Sequence, residues 1–292
     1  MQNAQLEGGI FSTQRRGGAG ERRGGKGVTE RKDRKMGKGK IPVLSGKDLE
    51  GMRRACRLSA VILKEVAEAV RPGMTTGELD RYAAERMALR GVRSTFLGYG
   101  GFPGYTCISI NEEVVHGIPG DKVINEGDVV SIDLGVTAGE FTGDNAITVP
   151  VGRVAPEVLA LLETTERSLR AGIAAVRPGA HVGDIGAAVQ AVAEGAGYGV
   201  VRDYCGHGVG RHLHEEPQIP NFGKAGKGAV LAPGMCLAIE PMVNLGTWKV
   251  DLMRNEWTVK TRDRKPSAHF EHTVLVTEEG GEVLTVPVEP ER

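Results

Sequence analysis

An internal repeat is the feature that most constrains the fold of this 292-residue chain. The stretch VRPGMTTGEL at 70–79 matches VRPGAHVGDI at 176–185, an offset of 106 residues. Further along, EGDVVSID, which ends at Asp133, matches APGMCLAIE, which ends at Glu240, at an offset of 107 residues. Two matches in the same order at nearly one offset are typical of a duplicated structural unit. The body of the chain is therefore predicted to consist of two halves built alike.

Two helices are predicted to open the first half, and the same pattern returns in the second. Apolar residues recur with a period near 3.6 from Leu49 to Val70, where an Arg-Pro-Gly triplet stops the pattern, and a further helix is predicted from Thr76. The same spacing runs from Val158 to Val176 and again meets Arg-Pro-Gly. Each half is thus expected to supply a helix, a Pro-Gly stop and a second helix.

Strands are predicted where Val, Ile and Thr concentrate between short turns, at 129–134, 145–151, 235–243 and 270–277. Short connections favour antiparallel pairing. Helices covering one face of a curved, mainly antiparallel sheet would make an α+β fold and would leave the other face as a trough.

Four carboxylates lie in apolar segments where a core is expected: Asp133, Asp144, Glu240 and Glu271. A buried, uncompensated carboxylate costs several kcal/mol, so protonation, a basic partner or a cation must relieve each one. Any single acid of this kind is more typical of an exposed position on an edge strand. Four together, with Asp133 and Glu240 at matching positions of the repeat, indicate a site.

A hairpin with Ala138-Gly139 at its tip would place Asp133 directly opposite Asp144, with Cβ atoms roughly 4.5 to 5.5 Å apart. Neither strand contains Lys or Arg. Carboxylates that bridge two cations about 3.5 to 4 Å apart are the usual architecture of hydrolytic two-metal sites. The predicted register therefore favours a pair of divalent metal ions.

Histidines near these acids are the remaining candidate ligands. His207 and His214 lie in CGHGVGRHLHEEP, whose glycines Gly206, Gly208 and Gly210 would let the backbone approach a ligand closely. His116 lies at a turn in EEVVHGIPG. Each of the three taken singly is more typical of a loop or core histidine. Imidazole beside carboxylates suits Mn, Fe, Co or Zn better than Mg or Ca. No role is predicted for the other histidines: His181, His212, His269 and His272.

The chain as a whole has balanced charge, but residues 1–40 and residues 41–292 carry net charges of opposite sign. The first forty residues hold eleven Lys and Arg, four Asp and Glu, and ten glycines, with no helical or strand periodicity. We predict that this extension is disordered and that it contacts a phosphate-rich partner such as the ribosome. A solvated leader, or a true start at Met36, remains an open alternative. Residues 41–292 are predicted to form one catalytic domain.

Several protein classes are disfavoured by composition. The chain is 40% apolar and 25% charged, which is ordinary for a globular protein. It has no run of 18 apolar residues and no apolar signal segment, so no contact with a membrane is predicted. Its four cysteines form no CxxC motif, which is typical of a reduced compartment. We therefore expect a cytoplasmic protein.

Longer motifs give a specific resemblance. They are CISINEEVVHGIP (107–119), SIDLGVTAGEFTGDNA (131–146), YCGHGVGRHLHEEP (204–217), AIEPMV (238–243), WTVKT (257–261) and SAHFEHTVLVT (267–277). Together they closely resemble type I methionine aminopeptidases, from about Ile41 to the C-terminus. The resemblance implies the pita-bread fold of that family, a duplicated α+β domain, which agrees with the internal repeat.

The resemblance also implies roles for individual residues. Asp144, His207, Glu240 and Glu271 would hold one divalent metal ion (Co, Mn, Fe or Zn), and Asp133, Asp144 and Glu271 a second. His116 would contact the N-terminal end of the substrate, His214 the scissile carbonyl oxygen, and Glu240 would relay a proton to the leaving amine. The pocket for the methionine side chain would be formed by Tyr99, Phe102, Cys107 and Trp257. The implied enzyme is a monomer that removes the N-terminal methionine of nascent polypeptides when the second residue is small.

Three positions depart from what many bacterial members show: Phe96, Gly100 and Leu213.

Two alternative functions are known for this fold. A proline-specific aminopeptidase on the same fold carries an additional N-terminal domain, which forty glycine-rich residues would not form. A metal-free module that binds ribosomes or chromatin would be expected to have lost metal ligands, whereas all five are present.

Overall fold

Four helices occupy equivalent places in the two halves of the computed structural model, which describes residues 41–287. They are α1 (Gly46–Ala69), α2 (Thr76–Leu89), α3 (Pro156–Ala174) and α4 (Val182–Gly195). Helices α2 and α4 each have 14 residues, and their ends are related by the offset found between the sequence repeats. The predicted helices and the duplication are confirmed.

The predicted basic arm, residues 1–40, lies outside the described residues, as do residues 288–292. Within the described range, every helix is too short or too polar to cross a lipid bilayer.

The start of α2 shows how local sequence sets a helix boundary. The Thr75 hydroxyl accepts a hydrogen bond from the Glu78 backbone N–H at 3.1 Å, and the Glu78 carboxylate accepts one from the Thr75 N–H at 2.8 Å. This capping box satisfies two donors that a helix leaves unpaired. At α4 the Asp184 carboxylate accepts from the His181 N–H at 2.7 Å, so the second half keeps part of the same device.

The strands of the described range are β1 (Arg93–Ser94), β2 (Cys107–Ile110), β3 (Glu113–Val115), β4 (Val129–Ala138), β5 (Phe141–Pro150), β6 (Gly199–Val200), β7 (Gly206–Gly208), β8 (Glu215–Ile219), β9 (Cys236–Ile239), β10 (Met242–Asn244), β11 (Val250–Leu252), β12 (Val259–Thr261), β13 (Ser267–His269), β14 (Glu271–Val276) and β15 (Gly281–Val283). Nine of them form one antiparallel sheet in the order β1-β4-β5-β14-β9-β7-β8, with β2 paired to β4 and β15 to β14. Two three-stranded sheets, β13-β10-β6 and β11-β12-β3, complete the fold.

Alternation along β5 decides which face of the large sheet the helices cover. A Cβ added to Gly143 would lie 2.6 Å from the backbone of Ala55 in α1, and the Asn145 side chain accepts a hydrogen bond from the Ser59 hydroxyl of the same helix at 2.6 Å. Successive side chains of a strand point to opposite faces. Asp144 therefore points away from the helices, into the concave face of the curled sheet.

The apolar core lies on the helix side in both halves. In the first half α1 and α2 pack against β4, and in the second half α3 and α4 pack against β9 and β14; fully buried members are Ile62, Leu79, Ile132, Ile185, Leu237 and Val274. The helices thus cover the outer face, and the predicted α+β fold is confirmed.

The register of the β4–β5 hairpin differs from the predicted one. Its turn is Gly139-Glu140 rather than Ala138-Gly139, because Gly139 adopts a positive φ of 63° that glycine accommodates without strain. Pairing shifts by two residues as a result, so Asp133 lies opposite Ala146. The prediction that Asp133 and Asp144 are direct cross-strand neighbours is therefore wrong. They are diagonal neighbours on the same face, a spacing that still suits bridging by a cation.

Candidate metal centre and active site

The carboxylates meet on the concave face because the strands place them in adjacent rows. Asp133 of β4 pairs with Ala146 of β5, and Ala146 pairs with Glu271 of β14. Directly paired residues project to the same side of a sheet. The small side chain of Ala146 therefore leaves open space between the Asp133 and Glu271 carboxylates.

The next row supplies two of the three other predicted ligands. Asp144 pairs with Gly135 of β4, and His207 of β7 pairs with Ala238 of β9. Glu240 directly follows β9 and extends the row that contains Glu271. The register of five strands thus brings all five predicted metal ligands to one patch.

Short distances join the histidine to two of the acids. The Nε2 atom of His207 lies 3.6 Å from Glu240 Oε1 and 3.8 Å from Asp144 Oδ2. One ligand atom each from Asp144, His207 and Glu271 lie within 4.8 Å of one another. These three side chains are buried, with residue exposures of 3 to 8%.

Three carboxylate oxygens of this patch are left without a partner. Asp133 Oδ1, Asp144 Oδ1 and Glu271 Oε1 are buried and accept no hydrogen bond from any described residue. The described residues that line the cavity include neither Lys nor Arg. Unpaired buried oxygens of this kind are costly unless a cation coordinates them. Carboxylate oxygens with one imidazole nitrogen are a donor set that divalent transition metals accept, so the residues fit such an ion.

Burial and mutual repulsion change how these acids titrate. Burial raises the pKa of Asp144 to about 7. Asp133, Glu240 and Glu271 have pKa values held well above the usual range. Burial is the larger cause, and repulsion by the neighbouring carboxylates is the smaller. Without a cation the group would retain protons near neutral pH. A bound divalent ion would replace those protons.

His207 is oriented as a ligand by a backbone group. Its Nδ1 lies 2.9 Å from the carbonyl oxygen of Gly208, which can only accept, so Nδ1 carries the hydrogen. Its Nε2 lone pair therefore faces Asp144 and Glu240. Burial lowers the pKa of His207 to about 4, which keeps the imidazole neutral and able to coordinate.

Two further histidines line the same cavity. His116 is buried, has a positive φ of 58°, and its ring meets the Tyr204 ring edge-on at 5.8 Å. The His214 ring meets the His207 ring edge-on at 4.3 Å. Burial lowers the pKa of His116 to about 4 and holds the pKa of His214 well below its usual value, so both imidazoles are neutral at neutral pH. They therefore add no positive charge to the cavity.

The four residues predicted to surround a methionine side chain lie together beside the cavity. Tyr99, Phe102, Cys107 and Trp257 belong to one apolar cluster. The Phe102 and Trp257 rings meet edge-on at 5.1 Å. Burial raises the pKa of the Cys107 thiol well above its usual value, so it stays uncharged. The cluster combines aromatic rings with a polarisable sulfur, and such a surface suits contact with a thioether side chain.

Three further residues reach the site: two that depart from the family pattern and one histidine. Phe96 and Leu213 line the cavity. His269, for which no role was predicted, has its Nε2 3.8 Å from Glu240 Oε2. Local sequence gives no signal for this contact, because His269 ends β13 while Glu271 begins β14, and β13 is positioned by its pairing with β10.

The glycines on either side of His207 allow close packing of strands rather than the approach of a ligand. A Cβ on Gly206 would lie 2.2 Å from the carbonyl oxygen of Ala238, and one on Gly208 would lie 2.2 Å from that of Glu216. The expectation that these two glycines admit a ligand is therefore wrong. They allow neighbouring strands to approach β7 closely, which positions His207 over the carboxylates.

Comparison with known proteins agrees with this geometry. Residues 50–278 match the sequence profile of metallopeptidase family M24. The chain belongs to this family. It is thus a metal-dependent hydrolase that uses divalent metal, as its buried carboxylates indicate.

Relatives of this M24 metallopeptidase place it more narrowly. It is 46% identical over 239 residues to methionine aminopeptidase 1 of Bacillus subtilis (strain 168), an alignment that covers 82% of this chain and 96% of that protein. The solved structure of methionine aminopeptidase from Rickettsia prowazekii superposes with a TM-score of 0.83 at 42% identity, over 85% of this chain and 100% of the other. The resemblance to methionine aminopeptidases is confirmed.

The fold itself is shared more widely. A prolidase from Pyrococcus furiosus has a TM-score of 0.68 at 24% identity, over 86% of this chain and 66% of that protein. That likeness shows the common pita-bread fold alone.

Proposed function

We propose that this M24 metallopeptidase is a methionine aminopeptidase that removes the N-terminal methionine of nascent polypeptides when the second residue is small. The observation that carries the proposal is the group of buried, unpaired carboxylate oxygens beside a thioether-compatible aromatic pocket. The homology to methionine aminopeptidases supports the same conclusion.

Two metal ions are proposed, with the ligand sets expected from the sequence. Asp144, His207, Glu240 and Glu271 would hold one ion, and Asp133, Asp144 and Glu271 the other. The unpaired oxygens on Asp133, Asp144 and Glu271 support this division, since each carboxylate still has an oxygen to offer. Mn, Fe, Co and Zn all suit the donor set.

Divalent ions in such a site supply Lewis acidity that makes water nucleophilic near neutral pH. The side chains of this chain would do the rest. His214 would donate a hydrogen bond to the scissile carbonyl oxygen, where negative charge develops in the transition state. Glu240 would hold a proton on its carboxylate and pass it to the leaving amine. The free α-amino group of the substrate would lie against His116 and the acids, which restricts cleavage to the terminal residue.

The substrate's first side chain would enter the cluster formed by Tyr99, Phe102, Cys107 and Trp257. Phe96 and Leu213 line the cavity between this cluster and the acids. Their side chains would narrow the cavity further. A long, flexible thioether fits such a pocket better than a β-branched side chain does. Exclusion of large second residues would be steric.

A substrate comparison tests the proposed activity. The metal-loaded full chain should cleave Met-Ala-Ser and leave Xaa-Pro peptides intact. Preferential cleavage of Xaa-Pro peptides would favour a proline-specific aminopeptidase on this fold. Cleavage of neither, with no metal retained on purification, would favour a binding module.

We further propose that residues 1–40 bind the ribosome, which would place the enzyme in the cytoplasm beside its nascent substrates. The support is the excess of eleven basic over four acidic residues in this segment. Deleting residues 1–40 should spare Met-Ala-Ser cleavage but weaken salt-sensitive co-sedimentation with ribosomes. Equal co-sedimentation of the full chain and the deletion variant would dismiss this role.

We propose that the chain acts as a monomer, since a single copy brings all five proposed metal ligands to one cavity. Light scattering of the purified full chain, at concentrations used in the activity assay, would test this expectation. A dimer whose dissociation abolishes cleavage would contradict it.

A further inference from the structure

A hydrogen bond joins the methionine pocket to the proposed carbonyl-binding histidine. The Tyr99 hydroxyl lies 2.8 Å from Nδ1 of His214, and the two rings meet edge-on with centroids 5.4 Å apart. Tyr99 therefore does more than line the pocket, because its hydroxyl contacts the imidazole that is proposed to bind the scissile carbonyl oxygen.

The loop that carries Tyr99 is fixed by its own backbone. Tyr99–Gly101 form a short 3₁₀ turn. The Gly98 N–H donates to the Phe102 carbonyl at 2.8 Å, and the Phe102 N–H donates to the Tyr99 carbonyl at 3.0 Å. Gly98 and Gly101 adopt positive φ values of 80° and 90°, which glycine allows at low cost. The Tyr99 ring thus projects from a closed turn rather than from a free loop.

The segment that carries His214 is anchored independently. The Thr142 N–H donates to the Gly210 carbonyl at 2.8 Å, which ties the segment to β5. Arg211 forms ion pairs with Asp48 of α1, at 3.0 Å, and with Glu140 of the hairpin turn. Because each partner is held by different elements, the contact between Tyr99 and His214 is set by the fold.

A neutral imidazole carries a single hydrogen, on either Nδ1 or Nε2, and the partner of one nitrogen decides which. Nδ1 of His214 faces the Tyr99 hydroxyl. A hydrogen that His214 donates to a carbonyl oxygen in the cavity must therefore be on Nε2. A phenol hydroxyl is a good donor, and when it donates to Nδ1 the imidazole must carry its hydrogen on Nε2.

We propose that Tyr99 is a positioning residue, whose hydroxyl donates to Nδ1 of His214 and so keeps the hydrogen of His214 on Nε2, where the scissile carbonyl oxygen accepts it. This inference rests on the proposed function, because it assigns His214 to that oxygen. It separates two roles of one side chain: the Tyr99 ring contacts the methionine side chain, and its hydroxyl acts on the reaction through His214.

The Tyr99→Phe variant tests the two roles separately, because it keeps the ring and removes the hydroxyl. We expect kcat for Met-Ala-Ser to fall about tenfold, in line with one lost hydrogen bond, while KM changes by less than about twofold. Tyr105→Phe is the matched control, since this tyrosine follows in the same loop region and is 37% exposed. The control should leave both constants unchanged.

Nitrogen-15 NMR of histidine-labelled, zinc-loaded protein provides a readout that packing alone would not move. The wild-type chain should show His214 with its hydrogen on Nε2, and Tyr99→Phe should show a growing fraction on Nδ1. A His214→Gln variant assigns the signal. The Tyr105→Phe spectrum should match the wild type.

Three results would overturn the inference: hydrogen on Nδ1 in the wild-type chain, an unchanged tautomer in Tyr99→Phe, or a change confined to KM. Failure of the proposed function is distinguishable from all three. In that case the wild-type chain would not cleave Met-Ala-Ser at all, whereas the tautomer of His214 and its response to Tyr99→Phe could still be measured.

Discussion

At the scale of single residues, the site is a group of four buried carboxyl groups, and the described residues that line it include neither Lys nor Arg. Asp133, Asp144, Glu240 and Glu271 face one cavity, and burial shifts all four toward the protonated form. His207 approaches them as a neutral base. Burying these carboxyl groups without a partner costs folding free energy. A bound cation that offsets this cost is the simplest physical explanation of the arrangement.

Asp133→Asn should remove metal-dependent activity and leave the fold intact. The substitution keeps the volume of the side chain but replaces a charged ligand oxygen by a neutral amide. The loss in Met-Ala-Ser cleavage should exceed the roughly 10- to 100-fold that is typical of outer-shell partners. Full cleavage by the variant in metal-supplemented buffer would count against the site, and exposed Asp121→Asn is the control.

Gly135→Ala should impair the site through Phe96. A Cβ on Gly135 would lie 2.7 Å from Cε1 of the Phe96 ring, so this ring, which lines the cavity, must shift. We expect the free energy of unfolding to fall by about 1 to 3 kcal/mol and kcat/KM to fall with it. Gly195→Ala is the control, because nothing lies within 4 Å of a Cβ at that helical position. Equal activity of both variants would show that Phe96 has room to shift.

At the scale of elements, the sequence predicts which segments form but not how they pair. The ends of α2 and α4 follow from the repeat, because capping and Pro-Gly signals are local. The β4–β5 register does not, since Gly139 can serve at either position of a two-residue turn and only packing decides between them. His269 was missed for a similar reason: its approach to Glu240 depends on pairing between β10 and β13. The contact of Tyr99 with His214 joins two loops, which local patterns do not describe.

Thr75→Ala should test the capping box at the start of α2. Loss of the hydrogen bond from Glu78 N–H should lower the free energy of unfolding by about 1 kcal/mol. Ser45→Ala is the matched control, because Ser45 caps α1 without a side-chain hydrogen bond. Urea unfolding would measure both variants, and kcat should stay unchanged. An equal shift in the two variants would contradict a specific capping role.

At the scale of the whole molecule, the proposed metal ligands come from both repeats, so stability and metal binding should be linked. The same repeat that packs a core on the helix side places Asp133 and Glu240 at equivalent positions on the concave side. The five proposed ligands lie on four strands and directly after a fifth, and the loss of any of them should weaken the site. Metal should therefore raise the unfolding temperature of the full chain.

The pH dependence of stability in the metal-free protein follows from the same charges. Raised pKa values in the folded state mean that the carboxyl groups bind protons more tightly when folded. Their contribution to stability is lost as pH rises through those raised pKa values, and the pKa of Asp144 is about 7. The buried histidines, with lowered pKa values, oppose this trend only below their unfolded pKa of about 6.5.

Metal-free protein should thus lose stability as pH rises above about 6.5, where the histidines no longer oppose the trend, and metal-loaded protein should not. Thermal unfolding across this range, with and without a chelator, would measure the difference. The metal-free Asp133→Asn variant should show a weaker loss, because it has one buried acid fewer. Parallel curves for metal-free and metal-loaded protein would contradict the linkage.

Metal titration of the chelator-treated full chain, followed by Met-Ala-Ser cleavage and by the metal content of each sample, tests the central claim most directly. The chelated protein should be inactive, and cleavage should return with Mn²⁺ or Co²⁺ and saturate as the content approaches about two ions per chain. Full cleavage by the metal-free chain, or failure to bind any ion, would contradict a hydrolytic metal centre at these carboxylates.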